Sequence, residues 1–350
     1  MMNASPEIIS ASDATSYQSH LKYKANAMTG LKLSVVIPCY NEEEGMRELH
    51  RRVSEVCLAS VGNAYELVLV NDGSKDRTWE IMCDLSLADR QVVAVNLSRN
   101  HGHQLALSAG LKLCRGQRVF VLDADLQDPP ELLPKMMARM DDGCDVVFGQ
   151  RIKREGETVF KKTSAYFFYR LLDRMVDIDI PTDTGDFRLM SRRAVDVLNS
   201  MPEHHRFIRG MVSWIGLRQE AVAYERSARF AGETKYPLSK MIRFAIDAIT
   251  GFSVRPLRVA SYFGICFGVA ALLLLAYVFM HYFTGRIVEG WTSLAVIVLT
   301  LGSVQLLVAG VMGEYLGRLY VESKGRPLFI IQEIMTSSDV KNESKQPEIG

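Results

Sequence analysis

The chain has 350 residues, a formal net charge of +1 and 48% hydrophobic residues. That length holds one large domain with added elements or two modest ones, and the near-neutral balance gives no global attraction for nucleic acid. The hydrophobic residues are unevenly spread: Val259 to Leu319 is overwhelmingly apolar, whereas the chain before it alternates as a soluble domain does.

Residues 1–30 are rich in Ser, Ala, Asn and Thr, lack the apolar core of a signal peptide, and are expected to form a disordered tail. From Leu33 to Gly149 short apolar runs alternate with segments of helical period. Strands are expected at Leu33–Pro38, Glu66–Asn71, Val92–Leu97, Arg118–Leu122 and Asp145–Phe148, and helices at Glu42–Leu58, Asp76–Leu87, Gln104–Cys114 and Glu131–Met140. Buried strands alternating with helices predict an α/β domain, a mostly parallel sheet with helices on both faces. No Gly-x-Gly-x-x-Gly follows the first strand and no Gly-Lys-Ser/Thr loop is present, which argues against dinucleotide enzymes and P-loop kinases.

Residues 159–177 and 236–250 can each form a basic, aromatic-anchored amphipathic helix, fit either to pack on the sheet or to lie in a membrane interface. Two uncharged runs follow, Ser261–Phe283 and Trp291–Gly313. Each exceeds the roughly 20 residues that cross about 30 Å of hydrocarbon, and the short connection makes them a hairpin. Arg255, Arg258, Arg318, Lys324 and Arg326 flank its open ends, which predicts an integral membrane protein of two spans with both termini and the folded domain cytoplasmic. A buried hairpin in a soluble core is the alternative. The expected order is a tail at 1–30, the folded domain at 31–235, a juxtamembrane helix at 236–256, spans at about 259–283 and 291–314 within 257–320, and a C-terminal tail at 321–350.

The six cysteines have no metal-type spacing and suit a reduced compartment, several of them serving as small apolar residues. Asn96-Leu-Ser98 and Asn342-Glu-Ser344 match a glycosylation pattern that a cytosolic location would make irrelevant.

The chemistry concentrates in Val119-Phe-Val-Leu-Asp123-Ala-Asp125-Leu-Gln127-Asp128-Pro-Pro130. If the chain stays extended beyond the strand, Asp123, Asp125 and Gln127 share one face. Hard oxygen groups of this kind suit Mg²⁺ or Mn²⁺ with positions left for phosphate oxygens, at the sheet edge where open α/β folds bind ligands. An acidic loop capping the next helix from Asp128 is the plainer alternative. Two more strands end in acidic turns, at Pro38-Cys-Tyr40-Asn-Glu42 and Asn71-Asp72-Gly-Ser74. An aromatic ring beside carboxylates suits a nucleoside, although Asp76 can equally be a helix cap.

Taken with Asp183-Thr-Gly185-Asp186-Phe-Arg188 and Arg229-x-x-Gly-x-x-Lys235-Tyr236, these motifs resemble family 2 glycosyltransferases of the GT-A fold. With the terminal hairpin, residues 33–325 resemble the polyprenyl-phosphate transferases, a group that includes bactoprenol glucosyltransferases and dolichyl-phosphate mannose synthases. The resemblance implies that Pro38, Tyr40, Glu42 and Asp72 hold base and ribose, that Asp123 lies beside the nucleotide, and that Asp125 and Gln127 bind the metal. It implies that Arg151, Lys161, Arg229 and Lys235 meet the acceptor phosphate, with Asp125, Asp186 and Arg151 in catalytic roles; whether Asp186 is a base or a sugar ligand stays open. The implied reaction is metal-dependent, inverting transfer of glucose from UDP-glucose to polyprenyl phosphate on the cytoplasmic face of a bilayer. Mannose from GDP-mannose and an amino-arabinose derivative stand as alternatives, as does an inactive membrane partner of a flippase. A homo-oligomer and a downstream flippase are conceivable partners.

Overall fold

The computed structural model describes residues 30–152, 181, 184–225, 250, 253–284 and 290–337. They fall in two compact units, one comprising the described residues of 30–152, 181, 184–225 and 327–337, the other those between 250 and 326. The expected helices 159–177 and 236–250 lie outside the described residues except for Thr250, as does the tail 1–30 except for Gly30.

The first unit runs β1 (Leu33–Cys39), α1 (Met46–Val61), β2 (Tyr65–Asn71), α2 (Thr78–Ala88), β3 (Val92–Leu97), α3 (His103–Leu113) and β4 (Arg118–Val121). A 3₁₀ turn (Pro130–Leu132), α4 (Leu133–Asp141), β5 (Val146–Arg151), β6 (Thr184–Ser191), α5 (Arg192–Ser200), α6 (Ile208–Ile215), β7 (Gln219–Tyr224) and β8 (Ile331–Met335) follow. All fourteen residues of β1 and β2 are buried, as parallel strands covered on both faces require. Helix α1 turns Met46, Leu49, Val53 and Cys57 inward at a spacing of three to four residues, the stripe by which an amphipathic helix docks.

The eight strands form one sheet in the order β7-β5-β6-β4-β1-β2-β3-β8. Pairing from β4 through β1 and β2 to β3 is parallel. The sheet is mixed, however, because β6 inserts antiparallel between β4 and β5, and β8 pairs antiparallel with β3. The stretch 321–350, expected as a tail, therefore contains an edge strand whose Ile331 is buried. Across β6, Phe187 points into the core and meets Phe120 and Tyr224 edge-on at centroid distances of 5.3 and 5.4 Å. Its neighbours Asp186 and Arg188 face the other way, by the two-residue alternation of a strand.

Among the described residues all six cysteines are free. Burial pushes the Cys57 and Cys114 thiols up to about 12 and about 11, consistent with inert packing groups. Asn96 sits inside β3 and accepts from Asn71 Nδ2 at 2.8 Å, so it is a rung between two strands and no loop acceptor for glycan.

The second unit consists of α7 (Arg255–Phe283) and α8 (Trp291–Ser323). Both are long and apolar enough to cross a membrane, and only 6% and 0% of their most apolar windows are covered by protein. A soluble core would bury those side chains, so the buried-hairpin alternative falls. Helix α8 runs past the expected end near 314 into a polar turn, where Arg318 pairs with Glu314 at 3.0 Å one turn apart.

Candidate active site

The strands β1, β2, β3 and β4 end at one edge of the sheet, and the loops leaving them are laced together. Asn41, at φ 55°, donates its backbone N–H to Ser74 Oγ at 3.0 Å, and its side chain accepts from Lys75 N at 2.9 Å. Glu42 N donates to Thr78 Oγ1 at 2.9 Å. The β2 turn needs Gly73, whose φ is +64° and where a Cβ would lie 2.6 Å from Asn100 N. Pro38 is buried within β1, while Tyr40 beyond it is exposed and Glu42 half-buried. Tyr40 thus presents a ring at the site, and Pro38 shapes the strand end from which that ring projects.

Asp72 is almost fully buried. Its two carboxylate oxygens accept from His101 N at 2.7 Å and Gly102 N at 2.9 Å. Burial leaves its pKa raised, although those two N–H groups pull against the rise. Asp72 fastens the loop before α3, so a ribose or base donor must share an oxygen with that loop.

The chain after β4 does not stay extended as expected. It turns at Ala124–Asp125, Leu126 adopts φ 56°, and Gln127 N closes the turn by donating to Asp125 Oδ1 at 3.1 Å. An aspartate bonding its own backbone two residues on is a turn former, and this one places Asp125 and Gln127 in the same bend. Asp123, Asp125 and Gln127 remain partly accessible, while Ala124, Leu126 and Asp128 between and after them are buried.

Strand β6 brings Asp186 to the same place. Val121 pairs with Arg188, and continuing that antiparallel register sets Asp186 opposite Asp123. His103 Nε2, at the start of α3, lies 3.2 Å from Asp186 Oδ2 and 3.4 Å from Asp123 Oδ1. Asp186, wholly buried, also accepts from Gln104 Nε2 at 2.8 Å and Arg209 Nε at 3.0 Å, with Arg188 Nη2 at 3.6 Å. Burial alone would raise the Asp186 carboxyl, but Arg209, His103 and Arg188 outweigh it and hold the group well below the usual range. Burial likewise disfavours His103 cation, yet the two carboxylates raise its pKa to about 9. Arg188 is lowered to about 10, burial overcoming its attraction to Asp186.

Asp123 is pushed up to about 6 by burial, against the pull of His103 and with the repulsion of Asp186, Asp128 and Asp125 added. Its Oδ1 is buried and accepts no hydrogen bond among the described residues, with His103 Nε2 at 3.4 Å as its ion-pair partner. Crowded oxygen donors, one of them without a hydrogen bond, fit a hard divalent cation. Among the described residues no three His, Cys, Asp or Glu side chains enclose a metal, so Asp125 and Gln127 would share an ion with ligand oxygens.

Arg151, at the end of β5, is tied to Tyr224 Oη at 3.1 Å and to Asp128 at 3.4 Å. Lys161, Arg229 and Lys235 lie outside the described residues. Nothing local in the chain marks His103, Gln104, Arg209 or Tyr224 as site residues. Their partners stand 83, 82, 23 and 96 residues away, beyond the reach of any local pattern, although Gly102 before a helical run marks the start of α3.

A family model described as Glycosyl transferase family 2 matches residues 34–198. The chain is 49% identical over 304 residues to "Uncharacterized glycosyltransferase YkcC" of Bacillus subtilis (strain 168), covering 87% of this chain and 94% of that protein. It is 39% identical over 303 residues to "Bactoprenol glucosyl transferase" of Shigella phage SfV, with 86% and 98% covered. To "Prophage bactoprenol glucosyl transferase homolog" of Escherichia coli (strain K12) it is 37% identical over 305 residues, with 87% and 99% covered.

Proposed function

The chain belongs to glycosyl transferase family 2, and from that premise we propose that it transfers glucose from UDP-glucose to polyprenyl phosphate at the cytoplasmic face of a membrane, with inversion at the sugar. One observation carries the proposal: likeness to bactoprenol glucosyl transferase extends over 98% of that protein and 86% of this chain, far beyond residues 34–198 of the family model.

The site's chemistry supports it. In this reading Tyr40 would stack on the base, Glu42 and Asp72 would accept from base or ribose, and Asp123 would lie beside the diphosphate. Mg²⁺ or Mn²⁺, held by Asp125 and Gln127, would supply Lewis-acid charge for the departing nucleoside diphosphate. A phosphate monoester has its second pKa near 6, so at neutral pH it is already a nucleophile. It needs cations to overcome repulsion between two phosphate groups, a role suited to Arg151, Lys161, Arg229 and Lys235. It needs little from a base. Asp186, engaged by Gln104, His103 and Arg209 and held at low pKa, is built to stay ionised and to orient its neighbours.

Two apolar helices associate the protein with a membrane, and the sheet supports a hairpin topology. Strands β3 and β8 are hydrogen-bonded neighbours, which supports both ends of the hairpin lying on one side of the bilayer with an even number of crossings between them. The basic residues flanking the open ends favour the cytoplasmic side.

The test is mass spectrometry of lipid product after the full chain, in vesicles carrying undecaprenyl phosphate, is offered UDP-glucose, GDP-mannose and a UDP-amino-arabinose with Mg²⁺ or Mn²⁺. A hexosyl-phosphate lipid from UDP-glucose is expected. Product from another donor alone would reassign the sugar, and no lipid product from any donor would overturn the proposal.

A further inference from the structure

The turn that carries Asp125 and Gln127 continues into Asp128, whose side chain is completely buried. Three groups meet there. Tyr224 donates its hydroxyl to Asp128 Oδ1. The same hydroxyl accepts from Arg151 Nε at 3.1 Å, and Arg151 Nη2 lies 3.4 and 3.5 Å from the two Asp128 oxygens. Arg151 and Tyr224 are register partners at the ends of β5 and β7, so the sheet itself fixes their approach. Gly185 of β6 leaves room for the guanidinium: a Cβ there would stand 2.9 Å from Arg151 Nη2.

The distances are unequal in a useful way. A charge-assisted N–H···O⁻ bond is commonly 2.7–2.9 Å long, so at 3.4 Å the Asp128 carboxylate holds Arg151 loosely. The firm attachments are Tyr224 to Asp128 and Arg151 Nε to Tyr224. Arg151 is thereby aimed by the Nε and Nη2 edge of its guanidinium, the edge that faces Tyr224 and Asp128.

We propose that Tyr224 is a positioning residue whose one hydroxyl orients both Arg151, for an acceptor phosphate monoester, and Asp128, for the turn that bears the metal and donor diphosphate. The proposal rests on the glycosyl-transfer function put forward above. Tyr224 touches neither substrate; it sets the geometry of Arg151 on the acceptor side and, through Asp128, of the turn that carries Asp125 and Gln127 on the donor side. Losing it loosens both sides together, which the removal of a residue serving one substrate does not.

The test compares the full-length protein with Tyr224→Phe, which keeps the ring against Phe187 and removes only the oxygen. Two quantities are read: the KM for undecaprenyl phosphate, and the Mn²⁺ concentration giving half-maximal UDP binding by calorimetry. Both should rise, the KM by about tenfold, the change that follows from losing one hydrogen bond to a charged group, and the Mn²⁺ midpoint severalfold. Metal-free UDP affinity should stay close to that of the parent, while the melting temperature should fall by a few degrees, because the buried Asp128 carboxylate loses a donor. Tyr224→Phe combined with Arg151→Lys should raise KM by less than the product of the single changes, because both act on one guanidinium. An unchanged Mn²⁺ midpoint, or multiplicative effects on KM, would overturn the shared role. If the parent binds Mn²⁺ and UDP yet transfers nothing to lipid, the acceptor assignment fails by itself, and the Mn²⁺ midpoint still decides whether Tyr224 orders the turn.

Discussion

His103 Nε2 sits 3.2 Å from the buried carboxylate of Asp186, joining the first turn of α3 to the middle of the sheet. This contact ties the folded state to the charge of one imidazole. Its pKa rises from an ordinary 6.5 to about 9 on folding. A raised folded-state value means stabilisation that is complete below about pH 6.5 and is lost as the pH climbs through about 9. In chelator, the parent should exceed His103→Gln in urea midpoint at about pH 6, and the gap should close by about pH 10. A gap of constant size across that range would mean the imidazole is not charged in the fold.

Asp186→Asn should damage stability more than its small change of shape suggests. The buried carboxylate neutralises the buried Arg188 and the partly exposed Arg209 and His103. Removing one member of a buried charge cluster leaves the rest uncompensated, at a cost of about 3–5 kcal/mol. Because the Asp186 carboxyl is held well below its usual value, its contribution is present above about pH 4 and fades on acidification. Denaturant unfolding at neutral pH checks this; a variant as stable as the parent would show that the cluster tolerates a neutral centre.

Asp125→Ala should leave the fold intact, since the residue is partly exposed and its bond to Gln127 N belongs to a surface turn. Transfer should fall by about 10²–10³-fold, the loss typical when one electrostatic stabiliser of developing charge is removed. Mn²⁺ should cease to strengthen UDP binding. Near-normal turnover in Mn²⁺ would remove Asp125 from the metal site.

A chain stopped at Gly325 keeps both long helices and loses β8. The backbone groups of Ala94 to Leu97 that pair with it would be uncovered, and Ile331 would no longer be buried. A loss of at least about 2 kcal/mol is expected from one apolar side chain and several ladder bonds, with self-association through the bared edge. Urea unfolding and light scattering measure both, and a truncated chain indistinguishable from the parent would mean β8 contributes nothing.

The βα frame from β1 to α4 was legible because its strands are continuous apolar runs and its helices carry clear stripes. The hairpin was legible for the same reason at larger scale. Strand β6 was not, because Thr184–Ser191 mixes Asp186 and Arg188, charges made tolerable by each other and by His103, Gln104 and Arg209, which stand 83, 82 and 23 residues from Asp186. Strand β7 buries only Val222 and Tyr224 fully, and β8 has five residues, two of them exposed; short edge strands carry little periodicity. At the site, the acidic turn was readable as chemistry but its shape was not. The left-handed Leu126 bends a segment that alternation alone would keep straight. Arg151 could be picked out as a cation, yet its tether to Tyr224 depends on sheet order.

Strand β8 also sets a timetable. The ribosome delivers Ile331 roughly 230 residues after Leu97, which at about 5–20 residues per second is a delay on the order of 10–50 s. Throughout that interval the rim of the nascent sheet at β3 is open, while α7 and α8 are being made. The sheet can be sealed only by a segment that emerges after both helices, so the finished domain is a record that the whole hairpin has been made. Chains released early, before Ile331, would carry an unsealed rim, a mark that quality-control proteases and chaperones could read.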